Sequence, residues 1–233
     1  MKTVTSILAI VLVLSCQTDS SAPTDNSTSS NIEELPLIKK HFNQDEIAAL
    51  AQLKLFFEEQ ICPASDNNLT KANLPVCYEN YIKAVQERIN LNRELFQIDY
   101  AAYRQLLKTG TTDSLIANWY QVADSVRSYG NFSPTGKYFQ YLEDLSEKNE
   151  LAAAYYNRLS RINDVASPSM WGLMTTPAVF NYDDPSDQLV IALHYLTWLE
   201  NDKISERFRN LYPDKGKLHR LRQSQRDTTP SKR

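Results

Sequence analysis

The segment that most constrains the fold of this chain is an eleven-residue run at positions 189–199, which reads LVIALHYLTWL. Only His194 and Thr197 interrupt its apolar residues. A helix that is apolar on every side belongs inside a fold, and eleven residues are too few to cross a bilayer. The run therefore predicts a central helix that is buried within a helical domain.

Residues on both sides of the run predict where the central helix begins and ends. Asp184 is suited to cap it, Pro185 fits its first position and Asp187 falls in its first turn. The polar residues 200–202 predict its end. A separate short helix is predicted over residues 204–212.

Composition and periodicity predict an all-α fold. Five glycines in 233 residues are few for a β-rich protein, which needs turn residues often. Apolar residues recur at three- and four-residue steps through most of the chain. The prediction is one bundle-like domain of five or six antiparallel helices over residues 37–212. Ahead of the central helix, the predicted helices cover residues 43–61, 75–108, 113–129 and 134–159. The first of them is predicted to begin with a capping box, formed by Asn43 and by Glu46 three residues later.

The N-terminus carries the pattern of an export signal. Lys2 is followed by an unbroken apolar run at 7–14, and residues 13–16 read Val-Leu-Ser-Cys. This pattern resembles the signal peptide and lipobox of bacterial lipoproteins. The resemblance implies removal of residues 1–15 and lipidation of Cys16. Gln17, where an aspartate would resemble an inner-membrane retention signal, favours the outer membrane. An ordinary cleaved signal and an uncleaved anchor are the alternatives.

Polar segments flank the predicted domain. Residues 16–36 are rich in Ser, Thr, Asp and Asn, which predicts a disordered tether. Residues 213–233 hold seven Lys or Arg and two Asp, a net charge of +5, so the preceding residues carry −8 of the total of −3. An acidic body argues against nucleic-acid binding by the folded part. The tail is predicted to be a solvated, disordered segment, with contact to anionic lipid headgroups as the alternative.

The cysteines predict a disulfide. If Cys16 is lipidated, Cys62 and Cys77 remain, and they flank one helix-to-helix connection. An exported chain meets an oxidising compartment, which favours pairing. A bridge across a loop of this size contributes about 3 kcal/mol in the chain-entropy model. A redox pair and a metal site are the rivals, but the spacing fits neither a C-x-x-C motif nor a common zinc motif.

The segment 163–183 interrupts the helical pattern and is predicted to be a long irregular connection. Such connections inside helical domains are often functional, and methionine and aromatic side chains suit adaptable contacts with a ligand or partner. The alternative is that they are ordinary core residues. The candidate binding residues are Met170, Trp171, Met174, Phe180, Tyr182 and Asp183.

No strong catalytic motif is visible. The chain contains no P-loop, no G-x-G-x-x-G, no H-E-x-x-H and no G-x-S-x-G sequence. The best enzymatic candidate is His194 with the carboxylates of residues 183, 184 and 187, but no nucleophile or oxyanion partner accompanies it. A lone histidine on an apolar helix is more often a core residue. No catalytic residue, metal site or cofactor is therefore predicted.

Three functions from different classes follow from these patterns. The first is a non-enzymatic, membrane-anchored envelope lipoprotein that binds a protein partner, which predicts an exposed apolar patch near residues 170–182. The second is a small-molecule or glycan binder with a pocket lined by tyrosine and tryptophan. The third is an envelope hydrolase, which requires His194 and a carboxylate to converge in a cleft.

Overall fold

A computed structural model of the chain describes residues 32–62, 73–91, 97–109, 120–123 and 126–211. The predicted all-α class is confirmed. Within the described residues the α-helices are α1 Pro36–His41, α2 Gln44–Ile61, α3 Leu74–Leu91, α4 Tyr100–Leu106, α5 Lys137–Ser146, α6 Glu150–Ile162, α7 Pro168–Met174 and α8 Pro185–Leu211. The 3-10 turns are Ile32–Glu34 and Pro177–Val179, and the strands are β1 Tyr120–Ala123 and β2 Val126–Phe132.

The predicted central helix is the first half of α8, and all of its residues from 186 to 200 are buried. It contacts α2, α6, β2 and the turn Ile32–Glu34. Around this axis α1 packs on α5, α5 on α6, and α6 on α7. None of the helices in the described part of the chain contains a stretch long and apolar enough to cross a membrane.

The predicted end of the central helix at residues 200–202 is wrong, because α8 spans 27 residues in all and ends at Leu211. The predicted helix over 204–212 is therefore the second half of α8. Asn, Asp and Glu disfavour a helix interior by at most about 0.7 kcal/mol each, which tertiary contacts easily outweigh. Glu200 supplies such a contact, since its buried carboxylate accepts a hydrogen bond from Arg104 on α4 at 2.8 Å.

Helix α2 begins and ends where its sequence predicts. The side chain of Asn43 accepts a hydrogen bond from the backbone N–H of Glu46, and the Glu46 carboxylate accepts one from the backbone N–H of Asn43. This is the predicted capping box. The Lys137 ammonium of α5 reaches the same carboxylate at 2.8 Å, so the cap also joins two helices.

Cys62 and Cys77 form the predicted disulfide. Cys62 caps the C-terminus of α2, and Cys77 lies in the first turn of α3. Their Cα atoms are 5.3 Å apart. The bridge therefore joins the end of one helix to the start of the next, as the flanking positions of the two cysteines predict.

Two predicted long helices are each broken by a capping residue. The helix over 75–108 ends at Leu91 as α3, and α4 begins after Asp99, whose carboxylate accepts hydrogen bonds from the N–H groups of Ala101 and Ala102. The helix over 134–159 divides before Asn149, which caps α6. Asp and Asn side chains compete with the backbone for hydrogen bonds, which favours caps over helix interiors.

The predicted helix over 113–129 is wrong where the structure describes it. Strands β1 and β2 pair antiparallel, with Val122 opposite Arg127 and Ala123 opposite Val126. Strand β2 contacts α8. Valine, tyrosine and phenylalanine favour strands. The three- and four-residue spacing of the apolar residues, which predicted a helix, did not determine the structure here. Residues 113–119 and 124–125 of the predicted helix lie outside the described part.

Leu196 provides a test of the central position of α8. Replacing this buried leucine with alanine is expected to lower the free energy of unfolding by about 3 kcal/mol, through lost burial and a residual cavity. Leu55→Ala is the matched control, because that side chain is already 37% exposed. Chemical denaturation of both variants measures the difference. Equal losses would contradict the assignment of α8 as the core helix.

Candidate functional site

The carboxylates near the start of α8 form a structural network. Asp184 accepts a hydrogen bond from the N–H of Ser186 at 2.8 Å, as predicted for a cap. The carboxylate of Asp187 accepts hydrogen bonds from the Asn149 side chain at 2.6 Å and from the Asn181 N–H at 2.8 Å. Burial raises the pKa of Asp187, and its two hydrogen-bond donors oppose the shift. Both oxygens of Asp187 thus fix neighbouring segments onto α8.

His194 is fully enclosed in aromatic side chains. Its Nδ1 lies 3.3 Å from the Tyr155 hydroxyl, and its ring contacts Tyr195 and Trp198 edge-on. Burial lowers the pKa of His194 to about 3. The imidazole is therefore neutral near physiological pH, and its contacts are those of a core residue.

The structure does not bring His194 together with the carboxylates predicted to assist it. Burial alone shifts the His194 pKa, with no contribution from Asp183, Asp184 or Asp187. Asp187 is bound to Asn149 and Asn181, and Asp183 lies exposed at the surface. Among the described residues, His194 is fully buried and does not share a cleft with these carboxylates.

The segment 163–183 is more ordered than its sequence predicts. Residues 168–174 form α7, which Ser167 caps by accepting a hydrogen bond from the N–H of Met170. Met170 and Met174 are fully buried in the core. Both methionines therefore belong to the hydrophobic core, which was the alternative for this segment, and their helix α7 contacts α6.

The other candidate binding residues lie nearer the surface. Trp171 is half-buried and stacks on Trp198 of α8 with ring centroids 5.2 Å apart. Phe180 and Tyr182 are half-buried, and their rings lie 5.6 Å apart. Asp183 is exposed. Phe180 and Tyr182 are thus two candidate aromatic residues that lie next to each other near the surface.

A second segment meets this aromatic pair. The turn Pro177–Val179 contacts α3, and burial together with the charge of Glu79 on α3 raises the pKa of Tyr182. Glu79 lies three residues after Val76, on the same helix face. Val76 is 55% exposed and Val179 is 36% exposed. We call Val76, Val179, Phe180 and Tyr182 the turn surface.

Behind the turn surface lies a buried ion pair that the sequence interpretation missed. Lys54 and Glu58 on α2 pair with each other although their side chains are only 0% and 1% exposed. Burial lowers the pKa of Lys54 and raises that of Glu58, and in each case the partner's charge opposes the shift. The Tyr78 hydroxyl lies 3.1 Å from the Glu58 carboxylate, to which it donates.

A signal for this pair was present in the sequence. Lys54 lies four residues after Leu50 and three before Phe57, so it occupies the apolar stripe of α2. A charged side chain within such a stripe has to find a buried partner, and Glu58 is one turn away. The stripe alone could not show that Tyr78 of α3 would join the pair.

Gln188 connects the turn surface to the ion pair. Its side-chain amide donates a hydrogen bond to the backbone oxygen of Tyr182 at 2.7 Å. Its own backbone oxygen lies 3.3 Å from the Tyr78 hydroxyl. The first turn of α8 therefore positions both the aromatic pair at the surface and the tyrosine that meets Glu58.

Within the described residues, no group of three or more His, Cys, Asp or Glu side chains is placed to hold a metal ion. In comparisons with protein-family models, curated proteins and solved structures, the chain matches none.

His194 predicts a specific acid sensitivity. Below about pH 6.5 the unfolded chain protonates this imidazole, whereas the folded protein does so only near pH 3. Unfolding therefore becomes easier as the pH falls, by about 2 kcal/mol between about pH 6.5 and about pH 5. His194→Gln is expected to remove this part of the pH dependence. Denaturation at several pH values measures it, and identical slopes for both proteins would refute the assignment.

The ion pair predicts an asymmetry between single and double substitutions. Lys54→Met leaves the Glu58 carboxylate buried without its cation and is expected to cost about 3 kcal/mol of unfolding free energy. Lys54→Met/Glu58→Leu removes both charges and is expected to fall within about 1 kcal/mol of the wild type. Urea denaturation compares the three proteins. A double variant as unstable as the single one would contradict the charge-based explanation.

Proposed function

We propose that this chain is a membrane-anchored lipoprotein of the bacterial cell envelope that binds a protein partner through the turn surface. In this proposal Cys16 carries the lipid, and the residues between it and the turn Ile32–Glu34, which packs on α8, tether the domain to the outer membrane. The leader and Cys16 lie outside the described residues, so the anchor rests on their sequence pattern.

The Cys62–Cys77 disulfide supports the proposed compartment. Disulfides persist in exported proteins and are rare in the reducing cytosol. With these two cysteines paired, the third cysteine of the chain is Cys16, directly after the apolar leader. This arrangement fits a chain that is exported, oxidised and lipidated.

The observation that carries the binding role is the exposure of the turn surface. Val76 and Val179 present apolar side chains to solvent from α3 and from the turn that contacts it, and Phe180 and Tyr182 follow that turn with their rings tilted at 35° to each other. The exposed ion pair between Glu79 and Lys83 lies on the same helix as Val76. Aromatic and apolar residues are typical of the centre of a protein interface, and polar or charged residues are typical of its rim.

The glycan-binding alternative has weaker support. The aromatic side chains predicted to line its pocket instead pack on one another: Trp171 on Trp198, and Tyr195 on Phe57. Tyr138, Tyr141 and Tyr155 are completely buried in the core. The described tyrosines thus contribute to packing more than to a concave surface.

Cross-linking in intact cells, followed by mass spectrometry, tests the proposal. Val76→Asp/Val179→Asp places charges in the turn surface and is expected to reduce capture of the partner by about tenfold or more. Ile162→Asp is the matched control, because Ile162 is a 47% exposed apolar residue on α6. Cys16→Ala is expected to move the protein from the membrane fraction to the soluble fraction.

Each part of the proposal has its own contradicting result. Adducts unchanged by Val76→Asp/Val179→Asp would rule out the turn surface as the binding site. A Cys16→Ala protein that remains in the membrane fraction would rule out the lipid anchor. The two parts can therefore fail separately.

A further inference from the structure

The disulfide lies close in sequence to Glu58 of the buried ion pair on α2 and to Tyr78 on α3. Glu58 lies one turn before Cys62, whose backbone N–H donates to the Glu58 carbonyl at 3.0 Å. Tyr78, whose hydroxyl donates to the Glu58 carboxylate at 3.1 Å, directly follows Cys77. The covalent bridge thus lies beside the contact that brings Tyr78 to Glu58.

This contact satisfies charges that water would otherwise solvate. Lys54 and Glu58 are both inside the protein, where a charge is stable only while its partners remain in place. Tyr78 comes from a different helix, so its hydrogen bond to Glu58 persists only while α3 stays docked on α2. Separating the start of α3 from the end of α2 would instead admit water to both charges.

We infer that the Cys62–Cys77 disulfide is a redox-sensitive clasp that keeps α3 closed over the Lys54–Glu58 pair. A dithiol reduces it by thiol–disulfide exchange through a mixed disulfide. The S–S bond breaks, both cysteine sulfurs become thiols, and two electrons and two protons come from the dithiol, which is oxidised to a cyclic disulfide. The start of α3 then leaves Glu58, and the ion pair becomes hydrated while the core around α8 persists. This inference does not depend on the proposed partner.

Amine acetylation of the full chain, with and without prior reduction by dithiothreitol, tests the clasp. Lys54 is fully buried, so its acetylation is expected to rise about tenfold or more once the bridge is reduced and the dithiol is removed under argon. Lys83 on α3 is the internal control, because it is 52% exposed and is expected to change by less than about twofold. Amide hydrogen exchange within residues 186–200 reports whether the core of α8 stays closed.

Two variants separate a clasp from a general loss of stability. Cys62→Ala/Cys77→Ala is expected to expose Lys54 to acetylation without any reductant. The variant Glu58→Gln keeps Lys54 but removes its carboxylate partner. Its Lys54 is expected to be acetylated faster than in the wild type even with the disulfide intact.

Three results would overturn the inference. Unchanged Lys54 labelling on reduction would show that the bridge does not hold α3 over the pair. Equal acceleration of exchange throughout residues 186–200 would show global unfolding. Wild-type labelling of Glu58→Gln in both redox states would show that the carboxylate does not retain Lys54.

Discussion

Burial of the first half of α8 on all sides is the constraint on which the rest of the structure depends. Residues 186–200 are enclosed without exception, and buried polar side chains generally require hydrogen-bond partners. The Asp187 carboxylate accepts a hydrogen bond from Asn149, and the Glu200 carboxylate accepts one from Arg104. The His194 imidazole forms a hydrogen bond with the Tyr155 hydroxyl. The surrounding helices are therefore placed by hydrogen bonds as well as by apolar packing.

The same burial determines what the ionisable groups can do. In the core of this protein, the pKa of His194 falls and that of Glu58 rises because burial penalises their charged forms. An enclosed imidazole with a pKa near 3 contributes to packing and acid sensitivity. The polar contacts of Gln188 extend this influence outward, since its amide holds Tyr182 of the turn surface. The first turn of α8 thus contacts both the turn surface, through Tyr182, and the tyrosine that hydrogen-bonds to Glu58.

Local signals predicted much of the fold. The capping box at Asn43, the disulfide and the start of α8 depend on residues within a few positions or on one loop, and the structure confirms them. The breaks before Asp99 and Asn149 were missed because both residues fall in register with an apolar stripe. The candidate site was predicted in part: Phe180 and Tyr182 remain near the surface, whereas Met170 and Met174 are core.

The sequence by itself determined the helical class, the central helix and its first cap, because apolar periodicity and capping act over one or two turns. Only the tertiary structure decided that residues 120–123 and 126–132 form paired strands, since the spacing of their apolar residues also suits a helix and β2 contacts α8. It also decided the surroundings of Glu58. The Tyr78 hydroxyl contacts the Glu58 carboxylate, 20 residues away in the sequence, and the Gln188 backbone oxygen, 110 residues away. Contacts over such separations depend on how helices dock, which no local pattern encodes.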